Sequence, residues 1–68
     1  MFTNLKQAMY RETISMEAVA DAIGVHRNTL ALKISGSSPF LLDEVITIQE
    51  KFFPAYSWQW LFKKFNSA

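Results

Sequence analysis

The side chains best suited to chemistry in this chain lie between His26 and Ser37: His26, Arg27, Asn28, Thr29, Lys33 and Ser37. They are hydrogen-bonding groups at helical intervals, with no nucleophile paired to a base. An arginine can grip guanine through two hydrogen bonds and an asparagine can grip adenine, each worth about 1–3 kcal/mol of discrimination. Lysine, threonine and serine suit phosphate oxygens. The chemistry implied is the reading of a nucleic-acid duplex, not bond breaking. Arg27 and Asn28 open a helix and are expected at base edges or phosphates. Ala31 and Leu32 share the same outward face and can meet a thymine methyl. Lys33, Thr29 and Ser37 are expected at phosphates, and His26 can reach one from the helix start. The competing reading is a solvated helix end with a plain surface lysine, a threonine bonded to nearby backbone and an exposed leucine, which is common.

Other chemistries find little support. His26 is the single histidine and there is no cysteine, so thiolate metal sites and disulfides are excluded. Asp43 and Glu44 are adjacent, so on a helix they diverge by about 100° and do not converge on one substrate atom. No Ser/His/Asp set or paired-carboxylate spacing is present. No catalytic residues, metal or cofactor are expected, and the chain is not expected to be an enzyme.

The elements that position these residues follow from apolar spacing and caps. Five helices and no strand are predicted. The first covers about Thr3 to Glu12, with Leu5 and Met9 inward. The second covers about Met16 to Ile23, capped by Ser15, with Glu17 favourably placed in its first turn. Gly24 ends it, and Val19 and Ile23 share one face. The third covers about Arg27 to Ser35, with His26 as a weak N-cap and Gly36 at its end. Leu30 and Ile34 are its inward pair. After the loop of Ser37, Ser38 and Pro39, a fourth helix covers about Leu42 to Phe52. Its expected stripe is Leu42, Val45, Ile46, Ile48, Gln49 and Phe52, and Pro54 stops it. Ser57 caps a last helix from Trp58 to about Phe65.

Length and composition set the frame. The chain has 68 residues, half of them apolar, with a net charge of +1. One small domain over residues 1–68 is expected, without linkers or repeats. Apolar runs are too short to span a membrane, and the first residues lack a signal-peptide layout. A reducing cytoplasm fits the lack of cysteine. Net charge alone does not suggest a nucleic-acid binder, but its distribution does. No acid lies between Ala22 and Leu42, where His26, Arg27 and Lys33 stand. Lys63 and Lys64 make a second basic spot.

At Ser15–Gly36 the chain resembles the Cro/C1-type (XRE) helix-turn-helix family. Ser15 stands at the cap of the first motif helix, and Val19 and Ala20 give its apolar-plus-alanine pair. Ile23, Gly24 and Val25 form the turn, Leu30 is the anchor of the reading helix and Gly36 ends it. Gly36, Ser37, Phe40, Asp43-Glu44, Phe52-Phe53-Pro54 and Leu61-Phe62 are similar to a small phage or prophage subset, so the likeness covers nearly the whole chain. Lys33 stands where members often have an apolar residue, Met16 where they often have a polar one, and Leu41 where a Ser or Thr cap is usual. The resemblance implies an all-α, five-helix bundle of the lambda-repressor-like type. It also implies sequence-specific binding of double-stranded DNA by a transcriptional regulator, with the third helix in the major groove.

Seven of the ten aromatic residues lie from Phe52 onward. Trp58, Leu61, Phe62 and Phe65 can share one face, and Trp58 and Phe62 are expected in the core. Phe53 and Trp60 fall outside that face and are expected at an interface, as in a homodimer. The alternative function is a protein–protein adaptor that retains the fold without binding DNA. Low net charge, Met16, Lys33 and the aromatic tail favour it.

Overall fold

The computed structural model describes residues 1–65, and these form five helices with no strand among them: α1 (Thr3–Arg11), α2 (Met16–Ile23), α3 (Arg27–Ser35), α4 (Leu42–Phe52) and α5 (Trp58–Leu61). Among the described residues no helix is long and apolar enough to cross a membrane.

The first three helices end in the same way. At α2, Gly24 takes the left-handed conformation (φ 73°), Gly24 N–H donates to the Asp21 carbonyl and Val25 N–H to the Ala20 carbonyl. At α3, Gly36 (φ 94°) and Ser37 repeat the pattern on Lys33 and Leu32. This closure satisfies the last carbonyls of each helix and favours glycine, which has no Cβ to clash. Both glycines of the chain are used in it. At α1 the same two bonds run from Thr13 to Tyr10 and from Ile14 to Met9, but the left-handed residue is Thr13 (φ 57°). That closure ends α1 at Arg11 rather than Glu12.

The starts are more varied. Ser15 Oγ accepts the Ala18 N–H at 3.1 Å, and Ser57 Oγ accepts the Trp60 N–H at 3.1 Å. His26 Nδ1 accepts the Asn28 N–H at 3.0 Å. At α4, Leu41 has no side-chain acceptor, so half a capping box remains: Glu44 Oε1 accepts the Leu41 N–H at 3.0 Å.

The core takes Leu5, Ala8 and Met9 from α1, Val19 and Ala20 from α2, Leu30 and Ile34 from α3, Ile48 from α4, Leu61 from α5, and Phe53. Helices α2 and α3 pack most closely on each other, α4 lies against α2, and α5 fills the gap between α1 and α4.

Four expectations about the second half are corrected. Leu42 and Ile46 are exposed (73% and 46%) rather than in the α4 stripe. The inward face of α4 instead centres on Ile48 and Glu44. Phe53 is 1% exposed, not at a surface. It follows α4 as the chain turns, stacks edge-on against Tyr56 at 5.6 Å, and its carbonyl is held by the Gln49 side chain. Helix α5 stops at Leu61 rather than running to Phe65: Phe62 N–H still donates to the Trp58 carbonyl, but Phe65 N–H donates to the Met1 carbonyl and Met1 N to the Phe65 carbonyl, each 2.9 Å. So short a helix buries one side chain, and Trp58 stands 54% exposed. Phe62 is half-buried in a three-ring cluster with Phe2 and Phe40.

Candidate functional site

Helix α3 has nine residues, and its inward face is Leu30, Lys33 and Ile34. Arg27, Asn28, Ala31, Leu32 and Ser35 are exposed, and Thr29 is half-buried. Successive residues turn by about 100°, which places those five on one outward strip. Two short side chains in its middle, Ala31 and Ser35, leave room for close approach. Four of these were named from the sequence. Ser35 was missed, although it lies four residues after Ala31 and seven after Asn28. Its hydroxyl donates to the Leu32 carbonyl at 2.9 Å and lies 3.2 Å from the Ser37 hydroxyl. Ser37 is exposed just past the helix end.

Lys33 does not stand on that strip. It is 7% exposed. Its ammonium is 3.0 Å from Glu44 Oε1 and donates to the Pro39 carbonyl at 3.0 Å. Lys33 is three residues after the buried Leu30, so it falls on the core side of α3. The expected phosphate contact is thus replaced by an internal ion pair. The family pattern's apolar residue at this position was the signal that could have revealed it.

Two shallow clefts meet along α3. The first, about 440 Å³, is lined by Ser15, Met16 and Glu17 from the start of α2 and by Arg27, Asn28 and Ala31. The second, about 250 Å³, is lined by Met1, Lys6, Met16, Ala31, Ile34 and Ser35. They share Met16 and Ala31, so one trough runs beside the outward strip from Arg27 to Lys6. Lys6 is the cation that sequence reasoning missed: nothing in its neighbourhood of the chain links α1 to α3. Glu17 is the acid of the first cleft.

Charge is sorted by burial. Lys33 and Glu44 cancel inside, while Lys6, Arg11, Arg27, Lys51, Lys63 and Lys64 are exposed beside Glu12, Glu17, Asp21, Asp43 and Glu50. Glu12 accepts the Tyr56 hydroxyl at 2.8 Å. His26 is exposed, and because Nδ1 accepts a backbone N–H the ring carries its proton on Nε2, free to donate outward. Among the described residues, no buried side-chain nitrogen or oxygen lacks a partner. No group of three or more His, Cys, Asp or Glu among them is placed to hold a metal.

Of the two expected interface residues, Phe53 is interior. Trp60 is 37% exposed, tilted against Tyr56 at 5.7 Å, and its carbonyl accepts the Asn4 side chain. No family model, characterised protein or solved structure matches the chain.

Proposed function

We propose that the protein binds double-stranded DNA sequence-specifically, as a small transcriptional regulator of the Cro/C1 helix-turn-helix type, with a lambda-repressor-like arrangement of helices and α3 in the major groove. Such a regulator of a phage or prophage works in the bacterial cytoplasm. The observation that carries the reading is the outward strip of α3: Arg27, Asn28, Ala31, Leu32 and Ser35 are exposed on one face, and no acid occurs between Ala22 and Leu42. Arg27 and Asn28 read base edges from the first turn. Thr29, Ser37 and the His26 Nε2–H position the phosphates. A domain of this size covers few base pairs, so a two-fold pair of copies on adjacent half-sites supplies the length a specific site needs. Of the two aromatics expected at an interface, Trp60 is the exposed one, and Trp58 is more exposed still.

The test is selection of bound duplexes from a random pool, followed by the same selection with Arg27→Ala and Asn28→Ala. One enriched sequence for the parent chain, and relaxed preference in the variants at equal thermal stability, is the expected result. No enrichment above background refutes DNA reading. It leaves the adaptor reading, which the exposed Leu41, Leu42 and Ile46 favour.

A further inference from the structure

The two ends of α3 are both provided with cations, and those at the far end come from elsewhere in the chain. Arg27 stands at the first residue of the helix. At the other end, Phe2 N–H donates to the Ile34 carbonyl at 2.8 Å, which fixes the start of the chain against the last turn. The Met1–Phe65 pair of bonds then holds residues 63–65 beside it. As a result the stem of Lys64 lies over Gly36, with its Cε 3.6 Å from where a Cβ would stand on that glycine. The ammonium is one bond further on. Lys6 reaches the same end from α1, lining the cleft that contains Ala31 and Ser35.

From this placement we infer that Lys64 and Lys6 grip the DNA backbone at the C-terminal end of α3, while Arg27 at its first turn reads base edges. The inference rests on the DNA-binding reading above. A helix of nine residues is about 13 Å long, close to the width of the B-form major groove at about 12 Å. A helix of that length whose first turn lies at the base edges therefore carries its last turn out to the backbone that walls the groove. Among the described residues, nothing within hydrogen-bond range competes for either ammonium: the ion pair there is Lys33–Glu44, and no side-chain hydrogen bond involves Lys6 or Lys64. The competing role for Lys64 is to complement the negative end of the α3 dipole, which would affect stability and not the response of binding to salt.

The experiment measures affinity for a short labelled duplex of mixed sequence over a series of salt concentrations, for the full chain and for Lys64→Gln, Lys6→Gln, Arg27→Gln and Lys51→Gln. For every phosphate that a variant no longer neutralises, the slope of log K against log salt should become shallower by about 0.9. Lys64→Gln and Lys6→Gln are expected to lower the slope at unchanged melting temperature, Lys64→Arg to retain it, and Lys51→Gln, on the outer part of α4, to leave it alone. Full parental slope in both Lys64→Gln and Lys6→Gln, with salt-sensitive binding by the parent chain, overturns this grip and leaves the reading of α3 standing. A fall in melting temperature without a change in slope assigns Lys64 to the helix end and likewise overturns it. No salt-sensitive binding by the parent chain overturns both.

Discussion

The Lys33 ammonium lies 3.0 Å from a Glu44 carboxylate oxygen, with each side chain only 9% exposed. The same carboxylate oxygen accepts the Leu41 N–H, and the same ammonium donates to the Pro39 carbonyl. One ion pair therefore joins α3 to α4 and fixes both ends of the last stretch of the loop between them. Removing one member strands the other in a dry site, at a cost of about 3–5 kcal/mol. Lys33→Ala and Glu44→Ala should each lower the unfolding free energy from urea titration by that much. The Lys33→Met, Glu44→Leu double variant should recover part of the deficit, because no charge is then buried alone. At a temperature where Lys33→Met is folded, its salt slope for DNA should equal that of the parent. A cost below about 1 kcal/mol for either alanine variant would mark the pair as an ordinary surface contact.

Thr13 occupies the position that Gly24 and Gly36 fill at the next two helix ends. A β-branched residue at φ 57° carries strain of about 1–2 kcal/mol. Glycine would relieve it at the expense of a more flexible unfolded chain, by about 0.5–1 kcal/mol. Thr13→Gly should therefore raise the melting temperature by a few degrees, while Gly24→Val should lower it by more. Nothing stands within 4 Å of a Cβ built on Gly24, so the deficit there is backbone strain and not a clash. A lower melting temperature for Thr13→Gly would contradict this account.

These two sites also show what the sequence discloses and what it hides. Ser15, Gly24, Gly36 and the pairs Val19/Ile23 and Leu30/Ile34 are local signals, and α2, α3 and α4 have the expected bounds. Capping and 3.6-residue periodicity act within a few residues of one another, so they are visible in a single string. The outward strip of α3 was legible for the same reason at Arg27, Asn28, Ala31 and Leu32. The errors arise where distant segments decide. Lys33 is buried because Glu44, on another helix, receives its charge. Phe53 is interior because it packs edge-on against Tyr56 just past α4, and Trp58 is exposed because α5 is only four residues long and buries Leu61 alone. Leu42 and Ile46 satisfy helical spacing, yet the inward face of α4 runs through Ile48 and Glu44, where the glutamate meets Lys33 of α3. The place of Lys6 beside Ala31 depends on how α1 crosses α3, which no local pattern encodes.

Glu17 bears on the strength of any duplex interaction. It lines the same cleft as Arg27 and Asn28, and its charge favours the start of α2 while opposing a phosphate there. Glu17→Gln should tighten binding to all duplexes alike, by a factor of a few at low salt, with the gain shrinking as salt is raised. The melting temperature should fall slightly, since an acid in the first turn contributes about 0.3–1 kcal/mol. Anisotropy titrations on two unrelated duplexes check this. Unchanged or weaker binding would show that the start of α2 does not approach the backbone.

His26 is placed to do two things with its two nitrogens. Nδ1 caps α3 by accepting the Asn28 N–H at 3.0 Å, and this leaves Nε2–H as an outward donor on an exposed ring. The roles separate by substitution. Asparagine is a good N-cap and can replace the first function, but it is too short to present the second donor in the same place. His26→Asn should therefore match or exceed the parent in stability and weaken binding to duplex DNA. His26→Ala removes the cap as well, at a cost of about 0.5–2 kcal/mol, and should bind no better than His26→Asn. The two effects are coupled, because the capped N–H belongs to Asn28, one of the residues proposed to read bases. Without the cap the first turn of α3 is freed, so His26→Ala should also blur sequence preference, whereas His26→Asn should not. Melting curves and selection from a random duplex pool distinguish these outcomes. Equal affinity and preference in all three chains would confine His26 to the helix start.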